Sequence, residues 1–282
     1  MRAIFAPVPD AERQERLHEY AAFLAERDGE PDFANRTLSR REAPTRRLES
    51  PSLRFDGEFD AALFADQYVR FDPKRRTSDE MLMLLAFAKT NANEAYAVEQ
   101  VQHKAMRANA FESSLERIVL LEETYHTRLL LSACPIFGVK VDRPSPPVAH
   151  VKRIVAGIAR MPDVLSRPIT LAGEIIGVMT FVRMIGAVRR VFASRPALRD
   201  ALEERVTEIL VDEIGHMSLN RLLSRAGTFT LLHGFLRATA IGTRGALPEA
   251  EALGVLPLPM DDVARFDISS LPDEVRRQAF VA

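Results

Sequence analysis

Two stretches of this chain repeat one arrangement of chemically capable residues. Glu122-Glu123-Thr124-Tyr125-His126 and Asp212-Glu213-Ile214-Gly215-His216 both read acid-Glu-x-x-His. In an α-helix, residues i and i+3 share a face about one turn apart. Glu123 with His126, and Glu213 with His216, can thus each offer one carboxylate and one imidazole to a single point. Carboxylate oxygen and imidazole nitrogen are donors that first-row divalent ions accept. One such pair arises often by chance. Two, each inside a long apolar helical segment, predict a metal site within a helix bundle.

The segments that must hold these residues read as helices. Thr77-Ser78-Asp79-Glu80 has the pattern of a capping box before an apolar run. It predicts a first core helix through Glu94 towards Asn109. Ser113-Ser114-Leu115-Glu116 repeats the pattern and opens the helix of Glu123 and His126, which should end near Cys134-Pro135. A short turn near Phe111 would make these two helices antiparallel. Pro144, Pro146 and Pro147 mark a break, followed by a crossover helix over 148–160. A third core helix is expected from Ser166-Arg167-Pro168 to about Phe192, with proline in its first turn. A fourth is expected from Pro196 to about Arg225, closed by Gly227. An outer apolar helix over 228–241 follows.

Between Val164 and Arg199 the only acid is Glu174. A lone carboxylate among Leu171, Ile175, Ile176, Val178 and Met179 needs a partner, because an unpaired buried charge costs several kcal/mol or gives up its charge. A metal ion supplies that partner. Gly173 and Gly177 would leave space beside it. The first core helix offers Glu94 and Glu99, either of which can face the core. The helices then present, in order, Glu94 or Glu99, Glu123 with His126, Glu174, and Glu213 with His216. One Glu from each of two helices and Glu-x-x-His from the other two is the donor set of dimetal carboxylate bundles. Four carboxylates neutralise two divalent ions, and carboxylates can bridge them. A metal-bound imidazole usually hands its second ring N–H to a carboxylate. Asp212 is placed to serve His126 across the bundle, and Glu122 to serve His216. His18, His103, His150 and His233 have no such setting.

Composition narrows the rest. The chain has 282 residues, 47% of them hydrophobic, with net charge −1 and one cysteine, Cys134. That describes a helical protein able to bury a large core, with no global affinity for nucleic acid and no internal disulfide. A cytoplasmic location is expected, since a single thiol fits a reducing compartment, and no signal peptide is visible. Residues 168–188 are long and apolar enough for a membrane span, but Glu174 and Arg183 favour a buried bundle helix. The fold class is all-α. It divides into an N-terminal helix and arm over 1–77, a helical bundle over 78–245 and an irregular tail over 246–282. The arm carries Arg36, Arg40, Arg41, Arg46, Arg47 and Arg54, read as a solvated strap or a basic site for an acidic carrier.

The two Glu-x-x-His motifs and their order resemble the ferritin-like non-haem di-iron superfamily, over about Ser78 to Arg225. The resemblance implies a ferritin-like four-helix bundle with additional N- and C-terminal helices. It favours Glu94 over Glu99, because the interval from Glu94 to Glu123 is similar to that of the superfamily. The interval from Glu174 to Glu213 is longer and predicts an enlarged loop around 193–197. Two iron ions are implied, or a manganese and an iron, with dioxygen as co-substrate and an external electron donor. Leu130 stands where ribonucleotide reductase small subunits carry a radical tyrosine. Val178 stands where bacterial multicomponent monooxygenases carry a threonine. In size the chain is similar to stand-alone oxygenases of the p-aminobenzoate N-oxygenase kind, although Ile209 occupies the place of their third histidine. The expected activity is oxidation of a small organic substrate by N-oxygenation or hydroxylation. A desaturase of carrier-bound acyl chains and a non-oxygenating ferroxidase or metal-binding protein are the alternatives. Leu130, Ile175, Val178, Met179 and Ile209 are candidates to line a pocket or fill the core. Neither nucleic acid nor membrane is an expected partner, and a homodimer is possible.

Overall fold

Apolar stretches of helical period dominate the chain, and the backbone follows them. The structure is a computed structural model that describes residues 3–50, 52–108, 114–142 and 147–282. The N-terminal third holds α1 (Asp10–Arg27), a two-residue antiparallel ladder of β1 (Pro31–Asp32) and β2 (Thr37–Leu38), α2 (Glu42–Glu49) and α3 (Ala61–Val69). Four long helices follow: α4 (Asp79–Ala108), α5 (Ser114–Leu131), α7 (Asp163–Val191) and α8 (Pro196–Leu223), with the short α6 (Ala149–Ile158) between the pairs. The chain then forms α9 (Leu232–Gly242), α10 (Pro248–Ala252), α11 (Met260–Ala264) and α12 (Asp273–Gln278).

The long helices close into a bundle. Helix α4 packs on α5, α5 on α8, α8 on α7 and α7 on α4, while α9 covers α7 and α1 lies on α8. Leu171, Ile175, Val178 and Val188 of α7 meet Leu202, Ile209, Leu210 and Met217 of α8 in one fully buried core. Each such side chain contributes about 1.5–3 kcal/mol by leaving water. Leu130, Ile175, Val178 and Ile209 belong to this core, with Met179 packed against it. By length and composition α7 would cross a membrane, but 61% of its most apolar window is buried inside the protein.

Several boundaries differ from the sequence expectation. Ser78, not Thr77, caps α4: its hydroxyl accepts from the Met81 amide at 3.2 Å, while Thr77 turns back to the Arg75 carbonyl. Helix α7 starts at Asp163 behind Pro162, so Pro168 lies inside the helix and not in its first turn. So near the start, the missing proline N–H removes a single helical hydrogen bond. Helix α8 stops at Leu223, and Gly227 sits in the following 3-10 turn, Ala226–Leu231. The turn between α7 and α8 is short. The long Glu174–Glu213 interval comes from longer helices, in which both residues lie equally far from the turn.

Residues 246–282 are not an irregular tail. Pro248 occupies the first turn of α10, and Pro259 and Pro272 immediately precede α11 and α12. These prolines start helices, where their missing N–H costs nothing. Leu253, Leu256, Leu258, Val263, Phe266, Leu271 and Val275 are buried in the main core. The turn expected near Phe111, the cap at Ser113, and Pro144 and Pro146 lie outside the described residues, as does the side chain of His103.

A second core cluster locks the N-terminal segment to the bundle. Tyr20 and Leu24 of α1 and Leu38 pack with Ile118, Leu121 and Tyr125 of α5 and Leu219 of α8. Gly215 makes this approach possible. A Cβ there would stand 3.0 Å from the Tyr20 hydroxyl and 3.3 Å from its ring. Gly215→Ala is therefore expected to destabilise the protein by about 1–3 kcal/mol in urea unfolding. Tyr20→Phe in the same chain should recover part of the loss, because the Tyr20 hydroxyl has no hydrogen-bond partner to lose.

Candidate metal centre

Glu123 and His126 sit on α5, and Glu213 and His216 on α8, all facing the space between the long helices. Each glutamate reaches both imidazoles. Glu123 Oε1 lies 3.0 Å from His216 Nδ1, and its Oε2 3.6 Å from His126 Nδ1. Glu213 Oε1 lies 3.3 Å from His126 Nδ1, and its Oε2 4.0 Å from His216 Nδ1. Donor atoms of Glu94, His126 and Glu213 gather within 4.8 Å of one another, as do those of Glu123, Glu213 and His216. Glu213 belongs to both groups. Glu94 is drawn into the cluster, whereas Glu99 is exposed. Glu174 lies beside these groups rather than in them. Its Oε1 accepts from Asn220 Nδ2 at 3.3 Å, one turn beyond His216. A Cβ at Gly177 would meet Glu213 Oε2 at 3.7 Å, an ordinary contact, and one at Gly173 would meet open space. Asn91 donates to the Thr127 carbonyl at 2.8 Å and ties α4 to α5 beside the site.

The far nitrogens of both rings are taken by carboxylates from the opposite helix. His126 Nε2 lies 3.0 Å from Asp212 Oδ2, and His216 Nε2 lies 3.0 Å from Glu122 Oε2. All four side chains are buried. A carboxylate accepts, so each Nε2 carries the hydrogen and each neutral ring keeps its lone pair on Nδ1. Neither Nδ1 has a partner in hydrogen-bond geometry, despite nearby carboxylate oxygens, and Glu94 Oε2 is buried without one too. Lone pairs converging on carboxylate oxygens in a buried space are stable only around positive charge. These donors therefore fit one or two divalent cations, with Glu94, Glu123, His126, Glu213 and His216 as the nearest ligands.

A layer of charge behind the histidines was not foreseen from sequence. Asp212 Oδ1 accepts from Arg27 at 2.9 and 3.1 Å, and its Oδ2 accepts from Arg41 as well as facing His126. Arg41 also reaches Asp28 at 3.3 Å, and Arg27 reaches Glu208 at 3.1 Å. The expectation of a solvated arm fails at Arg41, which is buried. Arg46 pairs with Glu42, and Arg47 with Glu204. These arginines serve the protein's own carboxylates. The one available signal was the helical spacing of Tyr20, Leu24 and Arg27, which puts Arg27 on the buried face of α1. No periodicity marked Arg41. Tyr125 points away from the centre, donating to Glu42 at 2.8 Å. His18 is exposed, and the exposed His233 stacks on Phe5.

The same layout governs protonation. Burial opposes charge on His126 and His216. The carboxylates of Asp212, Glu123 and Glu213 around the first, and of Glu122 and Glu123 around the second, still hold both well above the usual 6.5. Burial pushes Glu94 and Glu174 well above the usual 4.5. Burial also opposes charge on Glu123 and Asp212, but both are lowered, Glu123 by the two histidines and Asp212 by Arg41 and Arg27. Burial raises Asp28 to about 8, with Glu122 and Asp212 adding to the rise.

The comparisons fall silent beside this geometry: no family model, curated protein or solved structure matches the chain.

Two outcomes follow from the charges. In the metal-free protein, the raised groups contribute stability that is complete below their unfolded pKa values and lost as pH rises through their folded ones. Asp212 and Glu123 act in the opposite sense, but only in the acid range. The melting temperature of the chelated protein should therefore fall as pH rises above 6.5, the ordinary histidine value. A profile flat from there to pH 9 would mean that the imidazoles are neutral. Asp212→Asn should cost about 3 kcal/mol in urea unfolding, because it removes the carboxylate that Arg27 and the buried Arg41 share. Glu99→Ala, at an exposed position, should stay within about 0.5 kcal/mol.

Proposed function

We propose that the chain is a ferritin-like di-iron protein acting as an oxygenase on a small organic substrate, by N-oxygenation or hydroxylation. The observation that carries this reading is the pair of buried imidazole Nδ1 atoms without hydrogen-bond partners, facing two glutamates that each reach both rings. Glu94, Glu123, His126, Glu174, Glu213 and His216 would hold the two ions. Bound ferrous ions would supply electrons and open coordination positions for dioxygen. A manganese in one position suits the same donors.

The chain's own residues do the rest. Asp212 and Glu122 fix the ring orientation and tautomer of His126 and His216. Leu130, Ile175, Val178 and Ile209 exclude water from the core beside the site. Glu123 keeps 21% of its side chain exposed, against none for either histidine and 7% for Glu213. With the open space at Gly173, this supports an approach for substrate from the glutamate side of the centre. No flavin or nicotinamide fingerprint is present, so electrons come from a separate donor. Carrier-bound acyl desaturation rests on the arm's basic residues alone, of which Arg41 is buried and Arg46 and Arg47 are exposed but paired with Glu42 and Glu204.

Elemental analysis of protein loaded anaerobically with ferrous ion should give two irons per chain, and Glu174→Ala should lose at least one. Glu99→Ala should bind as the parent does. Glu122→Gln should weaken iron binding by about 10–100-fold in chelator competition. Refusal of iron by a folded parent protein would end this reading. Iron uptake with oxygen consumption, but without oxidation of any amine or aromatic substrate, would leave a ferroxidase in its place.

A further inference from the structure

The net charge of −1 conceals an uneven distribution. From Arg143 to Gly173 the only acid is Asp163, and from Ile214 to Pro248 there is none. The fold brings these two cation-rich stretches together, because α6 packs on both α7 and α9. No residue of α6 is buried. A Cβ at Gly242 would lie 3.3 Å from Ile154 Cδ1, so the end of α9 touches the middle of α6. Around this junction Ile154, Met161, Val164, Leu165 and Ile241 are all exposed, Ile154 by 45% and Ile241 by 50%. Cations surround them: Lys152, Arg153 and Arg160 on and after α6, Arg237 and Arg244 on and after α9. Among the described residues, ion pairs nearby join Lys140 to Asp142 and Arg167 to Glu116, and none engages these five.

We propose that this face, formed by α6, the first turn of α7 and the end of α9, docks on an anionic phospholipid surface. Exposed aliphatic side chains amid unpaired cations are what a helix lying in a membrane interface presents. The aliphatic groups enter the acyl boundary and the cations meet headgroup phosphates. A second copy of the chain suits the face poorly. A two-fold contact would press the same cations against themselves, and among the described residues of α6, the first turn of α7 and the end of α9 the only carboxylate is Asp163. Nucleic acid would engage the cations and leave the aliphatic side chains in water. No spanning helix is needed, and α7 stays in the core. The sequence did not suggest a membrane partner, because acids elsewhere in the chain cancel this local excess.

The test is co-sedimentation of the full chain with vesicles of phosphatidylcholine, with and without phosphatidylserine. The parent should sediment with the mixed vesicles, remain in solution with phosphatidylcholine alone, and dissociate as salt rises. Arg153→Gln with Arg160→Gln should weaken binding by roughly fivefold for each cation removed. Ile154→Ser with Leu165→Ser should weaken it too, with melting temperatures unchanged in both variants. Equal binding to both kinds of vesicle, or no binding to either, would overturn the proposal. So would a dimer in solution that Ile154→Ser dissociates.

Discussion

Everything at the centre of this protein depends on two hydrogen bonds that cross between α5 and α8. Asp212 of α8 holds His126 of α5, and Glu122 of α5 holds His216 of α8. Moving up one helix means moving down the other, so the two pairs form only between antiparallel helices in one register. Each helix supplies the imidazole that the other orients. The crossing leaves both Nδ1 atoms aimed inward at Glu123 and Glu213. A shift of one residue in either helix would rotate the motif by about 100° and break both pairs at once.

The two sides of the centre differ in character. Behind the histidines, α1 and the segment before α2 form a sealed and charged wall. Tyr20 closes against Gly215, and Arg27 and Arg41 neutralise Asp212. In front, the glutamates face a region that is half-buried. Rigidity sits on the side that orients the imidazoles, and access on the side of the glutamates. Such a division suits chemistry in which ligands rearrange while imidazoles stay fixed.

The N-terminal segment is part of this machinery. Buried cations need buried anions, and Arg41 finds both Asp28 and Asp212. Arg128 of α5 meets Glu49 and Glu42 of α2, and Arg205 of α8, buried, donates to the Leu48 carbonyl and to Ser132. The residues between α1 and α3 have no helical period to show for this role. Their structure is dictated by the charges they cover.

By itself, the sequence determined the helices and the order of the donors. Period, caps and the i, i+3 spacing of Glu123 with His126 and Glu213 with His216 are local properties, which a helix expresses wherever it packs. The lone Glu174 in an apolar run was legible for the same reason, since its isolation is visible in one dimension. Tertiary structure gathered Glu94 with His126 and Glu213 and left Glu99 exposed, where the residue pattern allowed either and only the family resemblance favoured Glu94. It alone turned the C-terminal prolines into helix starts, by giving Leu253, Leu256 and Phe266 a core to enter. It alone paired Arg27 and Arg41 with Asp212, far apart in the chain. Long-range ion pairs leave no period behind them, and their partners are set by how helices stack.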